Sequence, residues 1–278
     1  MAPNGHFFAH AASVKSRMLH IVCALAHALV VLPDGRRAHI LKDDDAVASF
    51  IQERVATLGN AAIEEKGAFS MSIGSGTTVG ALASMADALD FTRVHLFFGN
   101  ERTEGEAAGK CFEGAAEAVS ALGIPEANVY RVPAMAAEDA AATYEVTLRG
   151  VPSEVVAVGD SGLPVLDLVL LGSGADGHCA SLYPDSSQVV CSPGSERAYL
   201  PAEGKGGITL SIDAISAAKN VLLSAAKPTQ ADMVRKCLGW SNAASNTKLP
   251  AGMISARLGS TEVEWLLTKE SAVELPAL

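Results

Sequence analysis

Asp176 and His178 flank a glycine in Gly172-Ser173-Gly174-Ala175-Asp176-Gly177-His178-Cys179-Ala180-Ser181-Leu182-Tyr183-Pro184. A neutral imidazole beside a carboxylate can take a proton from water near pH 7. The apolar run Leu166 to Leu171 precedes the pair and reads as a buried strand. The residues after it read as a tight loop and a short helix that Pro184 stops. In an open parallel sheet, ligands bind beyond the carboxyl ends of the strands. This run would therefore deliver Asp176 and His178 to the floor of a cleft, where a general base belongs; the bland alternative is that the glycines shape a turn and His178 is a satisfied helix-start residue.

Two further loops carry chemistry. Gly74-Ser75-Gly76-Thr77-Thr78 follows the strand-like run Phe69 to Ile73 and precedes a helix expected from Val79 to about Leu89. Glycine and hydroxyl residues in that setting expose backbone N–H groups suited to phosphate. Asn100-Glu101-Arg102 ends the next strand, Val94 to Phe98, and taken alone its acid and guanidinium read as an ordinary ion pair. Gly172, Gly174 and Gly177 also spell the dinucleotide fingerprint, but Pro184 cuts short the helix that a pyrophosphate needs. The acid at the right distance, Glu196, sits among Ser192, Pro193, Gly194 and Ser195, which is turn chemistry. No redox cofactor is expected. The five cysteines, Cys23, Cys111, Cys179, Cys191 and Cys237, contain no C-x-x-C pair. They point to a reducing compartment and to no metal site.

Strand and helix signals alternate along the rest of the chain. One of Asp43, Asp44 and Asp45 caps a helix through Val47, Phe50, Ile51, Val55 and Leu58. Helices are expected over Phe112 to Leu122 and Ala136 to Leu148, with a strand at Val129 to Val132 between them. Gly207 to Ser211, Val221 to Ser224 and Val263 to Leu267 supply further strands, the last closing the sheet. The β-α-β-α order with short links predicts a mainly parallel sheet covered on both faces.

At 278 residues, 49% hydrophobic and 19% charged, the chain can bury a substantial core. A net charge of -10 and no basic cluster beyond Arg36 and Arg37 argue against a nucleic-acid surface and for a small soluble ligand. Residues 1–36 read as an N-terminal extension and 37–278 as the folded domain. The first 33 residues hold no Asp or Glu and run apolar from Met18 to Leu32, too short to span a bilayer comfortably. They read as a segment packed on the domain or as a targeting sequence. The expected location is the cytoplasm, or an organelle if that segment is an address. Pro33-Asp34-Gly35 marks a hairpin turn between Leu29 to Leu32 and Ala38 to Leu41. Five of the seven histidines precede position 40, at spacings that suit no ligand set.

The three loops, with Ile208 to Val221 and Leu249-Pro250-Ala251-Gly252-Met253-Ile254, resemble the 6-phosphogluconolactonase family over roughly Ala38 to Leu267. The Gly174 to Pro184 block is the most specific of these segments. The resemblance implies a three-layer αβα Rossmann-like fold of the glucosamine-6-phosphate deaminase, ribose-5-phosphate isomerase and CoA transferase-like type. It also implies hydrolysis of 6-phosphoglucono-1,5-lactone in the oxidative pentose phosphate pathway, without a cofactor. His178 maps onto the base, with Asp176 holding or polarising that site. Gly74, Ser75, Gly76, Thr77 and Thr78 map onto the phosphate cradle, with Arg102, Gly177 and Lys205 in the same cleft. The sequence departs from the family where Asn100 stands for Asp, Val79 for Pro, Gly109 and Lys110 for Ser-Asn, Gly207 for Arg, and Gln230 near an expected Lys. Lys205, Lys110 and Lys227 are the cations left to compensate. The alternative is a member that has lost efficient catalysis and serves as a binding or structural subunit for a protein partner.

Overall fold

The structure, a computed structural model, describes residues 22–24, 27–32, 35–191, 194–202, 204–239, 248–254 and 261–275. The strands are β1 (Val22–Ala24), β2 (His27–Val31), β3 (Arg37–Leu41), β4 (Phe69–Ile73), β5 (Val94–Phe98), β6 (Asn100–Arg102), β7 (Ala157–Val158), β8 (Pro164–Val165), β9 (Leu168–Gly172), β10 (Tyr199–Ala202), β11 (Gly207–Leu210), β12 (Asn220–Ser224) and β13 (Glu262–Thr268). The helices are α1 (Asp44–Lys66), α2 (Thr77–Gly80), α3 (Lys110–Leu122), α4 (Ala137–Gly150), α5 (Ser187–Cys191), α6 (Ile212–Ala217), α7 (Ala231–Leu238) and α8 (Pro250–Ile254).

Eight strands form the central sheet in the order β1-β2-β3-β13-β12-β9-β4-β5. From β3 to β5 every pairing is parallel, and β1 and β2 add an antiparallel edge. The β2–β3 hairpin is the one its turn signal predicts, although Pro33 and Asp34 themselves lie outside the described residues. So do residues 1–21 of the expected N-terminal extension. Within the described part of that segment, Val30 and Leu32 are buried against the core.

Alternation along the buried strands divides the core in two. Leu168, Leu170, Leu222 and Leu266 face one layer with α1 and α3, while Val169, Leu171, Val221, Leu223 and Trp265 face the other with α4, α6, α7 and α8. Both layers are apolar, so the parallel strands lack a polar face. Asp43 caps α1 by accepting the N–H of Ala46 at 3.0 Å, and Gly67 in a left-handed conformation ends it.

Four elements differ from expectation. The helix expected to run from Val79 to Leu89 is the single turn α2, tightened into a 3-10 turn at Ala81–Ser84 that brings Leu82 and Met85 onto the sheet. No strand forms over Val129 to Val132: a 3-10 turn at Glu126–Asn128 leads in, and only Val129 bridges Leu96. The Gly207 strand belongs to a separate antiparallel sheet, β10-β11-β6, rather than to the main one. β13 lies between β3 and β12, inside the sheet rather than closing it. Its fully apolar Trp265-Leu266-Leu267 core suits burial on both faces.

Candidate active site

β4, β5, β9 and β12 end at one rim of the sheet, and the loops that follow them enclose a cleft of three adjoining cavities. A central cavity of about 270 Å³ is bounded by Gly74, Ser75, Gly76, Thr77 and Thr78 after β4, Asn100 of β6, Gly172 and Ser173 at the end of β9, and His178. Ser75, Asn100 and His178 also border a cavity of about 520 Å³ that adds Arg102, Lys110, Cys111, Ser181, Tyr183 and Lys205. Thr77, Thr78, Gly172 and Ser173 border a third, about 460 Å³, reaching Asp44, Lys227 and Gln230.

The loop after β9 is built around its histidine. Asp176 Oδ1 meets His178 Nδ1 at 2.6 Å and accepts the backbone N–H of His178 at 3.1 Å. With its hydrogen on Nδ1 facing the carboxylate, the neutral ring presents Nε2 as its basic position. The ring is about one-third exposed and lies against Tyr183, with centroids 4.7 Å apart. Burial acts to raise the Asp176 carboxyl, but the hydrogen bonds from the His178 backbone and ring outweigh it and hold the acid below its ordinary value. Asp176 is therefore an anion beside the imidazole. Gly174 closes the loop, its N–H donating to His178 O at 2.8 Å. A Cβ there would meet the His178 ring at 2.2 Å and Asp176 Oδ1 at 2.5 Å, so only glycine leaves room for the pair. Gly177 O accepts the N–H of Ala251 at 3.1 Å, which ties the loop to α8.

No helix directly follows His178. Ala180 and Asp185 adopt left-handed φ of 50° and 61°, which an α-helix excludes, and α5 begins only at Ser187. The segment turns back on itself through bridges from Ser173 to Cys179 and from Cys179 to Leu182. That folding lays Tyr183 against His178 and buries Cys179 fully. Burial drives the Cys179 thiol well up, and burial with Glu101 nearby pushes Cys111 up to about 11, so neither cysteine supplies a thiolate near pH 7.

Glu101 and Arg102 do not pair with each other. Glu101 is buried and caps α3, accepting the N–H groups of Arg102 and Cys111 at 2.7 Å and of Phe112 at 2.8 Å. Arg102 donates to the carbonyl of Lys205 at 2.6 Å, and the Lys205 ammonium sits 4.7 Å from the centre of the Tyr183 ring. Asn100 donates to Ser181 Oγ at 3.1 Å. Lys227 pairs with Asp44 at 2.7 Å, and the Gln230 amide donates to the Ser173 carbonyl at 2.5 Å.

Of the residues expected in the site, His178, Gly74 to Thr78, Arg102 and Lys205 border the cleft; Asp176 reaches it through His178, and Gly177 is buried against Leu249 and borders none of the three cavities. Asn100, expected only as a departure from the family's Asp, borders the same cleft, and Tyr183 and Ser181 join it without having been singled out for a role. The signal for Tyr183 is its place five residues after His178, where a reversing chain returns to the ring. Among the described residues no group of three or more His, Cys, Asp or Glu could hold a metal ion.

Residues 42–265 match the family described as glucosamine-6-phosphate isomerases/6-phosphogluconolactonase. The chain is 29% identical over 252 residues to the 6-phosphogluconolactonase of Mycobacterium tuberculosis, covering 86% of this chain and 98% of that one. It is likewise 29% identical over 264 residues to 6-phosphogluconolactonase 3, chloroplastic, of Arabidopsis thaliana, covering 87% and 76%. The solved 6-phosphogluconolactonase of Leishmania guyanensis superposes with a TM-score of 0.70 at 24% identity, over 86% of this chain and 98% of that one, which shows a shared fold.

Proposed function

The chain belongs to the glucosamine-6-phosphate isomerase/6-phosphogluconolactonase family, and on that premise we propose that it hydrolyses 6-phosphoglucono-1,5-lactone to 6-phosphogluconate in the oxidative pentose phosphate pathway. The observation that carries the reading is the 2.6 Å contact of His178 Nδ1 with Asp176, on a ring that borders both the glycine-hydroxyl loop and the basic cavity. Nε2 takes a proton from water as its oxygen attacks the lactone carbonyl, and Asp176 stabilises the imidazolium that forms. As the tetrahedral intermediate collapses, the ring C–O bond breaks and the departing alkoxide takes the proton back. The ester is cleaved with no net change at the enzyme and no cofactor.

The remote phosphate orients the ring for attack. We assign it the loop Gly74 to Thr78, which shares Ser75 with the cavity of Arg102 and Lys205. The field that draws in an anionic substrate is local to the cleft, because the chain carries a net charge of -10. The buried free thiols Cys111, Cys179 and Cys237 suit a reducing compartment, and we place the protein in the cytoplasm. No helix among the described residues is long and apolar enough to cross a membrane.

The test is hydrolysis of freshly generated lactone against its spontaneous background. His178→Ala is expected to lose about 10²- to 10⁴-fold in kcat with an unchanged melting temperature. Rates equal to background for the wild type would refute hydrolysis and favour a binding subunit.

A further inference from the structure

We propose that Lys110 seats the phosphate of the substrate alongside Arg102 and Lys205, and that this lysine sets the preference for phosphorylated over unphosphorylated lactones. The proposal rests on the lactone-hydrolysis reading. It adds which end of the cleft takes the anion and which side chain discriminates.

The two outer cavities differ in charge. The 520 Å³ cavity is lined by Arg102, Lys110 and Lys205 with His178, and none of its lining residues is acidic. The 460 Å³ cavity has Lys227 as its one lining cation, paired with the Asp44 carboxylate at 2.7 Å. A phosphate at that second end would displace Asp44 from its partner or lie beside an uncompensated carboxylate. At the first end it meets three cations within a chain otherwise rich in acid. His178 borders the first cavity and not the second, so an anion seated at the basic end keeps the lactone carbonyl within reach of the ring.

The three cations are not equivalent. Arg102 is already engaged with the Lys205 carbonyl at 2.6 Å, and Lys205 lies over Tyr183. Lys110 makes no ion pair among the described residues. It opens α3, whose next two N–H groups are held by the buried Glu101, so an exposed ammonium stands on an anchored helix start. The contact a phosphate would most improve is therefore the one to Lys110.

The experiment is steady-state kinetics on the full chain with 6-phosphoglucono-1,5-lactone and with glucono-1,5-lactone, for the wild type, Lys110→Ala, Lys110→Arg and Lys227→Ala. Lys110→Ala is expected to raise KM for the phosphorylated lactone about tenfold, at the low end for one charged hydrogen bond because the lysine is exposed. Its kcat stays within twofold, Lys110→Arg recovers most of the loss, and KM for the unphosphorylated lactone does not move. An equal effect on both substrates, or a large effect of Lys227→Ala with none of Lys110→Ala, overturns the proposal. If the wild type does not turn over, the hydrolysis reading fails by itself. Calorimetric titration with 6-phosphogluconate then decides this one: about tenfold weaker binding by Lys110→Ala supports it, and equal binding overturns it.

Discussion

Gly174→Ala is expected to lower kcat about 100-fold while changing stability by less than about 1 kcal/mol. An ideal Cβ at 174 lies 2.2 Å from His178 Nδ1, 2.3 Å from Cε1 and 2.5 Å from Asp176 Oδ1, whereas ordinary contact begins near 3.4 Å. The backbone cannot absorb the overlap cheaply, because Gly174 N–H donates to His178 O at 2.8 Å and its carbonyl accepts from Gly177 at 3.0 Å. The ring, about one-third exposed, can move, so it retreats by about 1 Å and loses the Asp176 contact, and a misplacement of that size costs about 10² in rate. Stability is spared because no buried apolar group shifts and Gly174 is not in a left-handed conformation. The assay is background-corrected lactone hydrolysis beside a thermal melt. Asp176→Ala removes the same contact by another route, so the double variant should fall well short of additivity. A Gly174→Ala enzyme with kcat within threefold of wild type would refute the argument that this glycine and this carboxylate together fix the ring.

Two further outcomes follow from groups away from the reacting atoms. Glu101→Ala leaves the N–H groups of Arg102, Cys111 and Phe112 without their buried acceptor, and urea denaturation should show a loss of about 3 kcal/mol; a loss below about 1 kcal/mol would contradict the capping role. Stability should also fall as pH drops below about 6.5, the ordinary histidine value: burial and then His39 lower His27, while burial and then Lys66 lower His95. The unfolded chain then binds protons that the folded chain refuses, so the urea midpoint at pH 5.5 should lie below that at pH 7.5, and His27→Gln with His95→Gln should narrow the gap.

What the sequence makes legible is what local chemistry determines. The apolar runs at Phe69, Val94 and Leu168 become strands because both faces of a parallel sheet are buried. The Gly74 to Thr78 and Gly172 to His178 loops become the cleft because they follow those strands. The helix after His178 fails for a tertiary reason: Cys179 is pulled into the core and bridges both Ser173 and Leu182, which forces Ala180 into a left-handed turn. No local propensity records that pull. The small β10-β11-β6 sheet is hidden for the same reason, since it joins Asn100 to Thr209 across more than a hundred residues through strands of three or four.

That small sheet also accounts for the departure at position 207, where the resemblance expects an arginine. Gly207 pairs with Arg102, and a Cβ there would meet the Glu101 carbonyl at 2.1 Å, so β6 and β11 approach closely only because the side chain is absent. The approach places β6 where the Glu101 carboxylate reaches the first N–H groups of α3, the helix that begins with Lys110. It also places Arg102 where it grips the carbonyl of Lys205. Read one residue at a time, the missing arginine is a lost cation. Read through the sheet, it belongs to an arrangement in which the close backbone contact positions Arg102, Lys110 and Lys205 around one cavity. The charge that the cleft needs for an anion is supplied by the neighbours of position 207 rather than by position 207 itself.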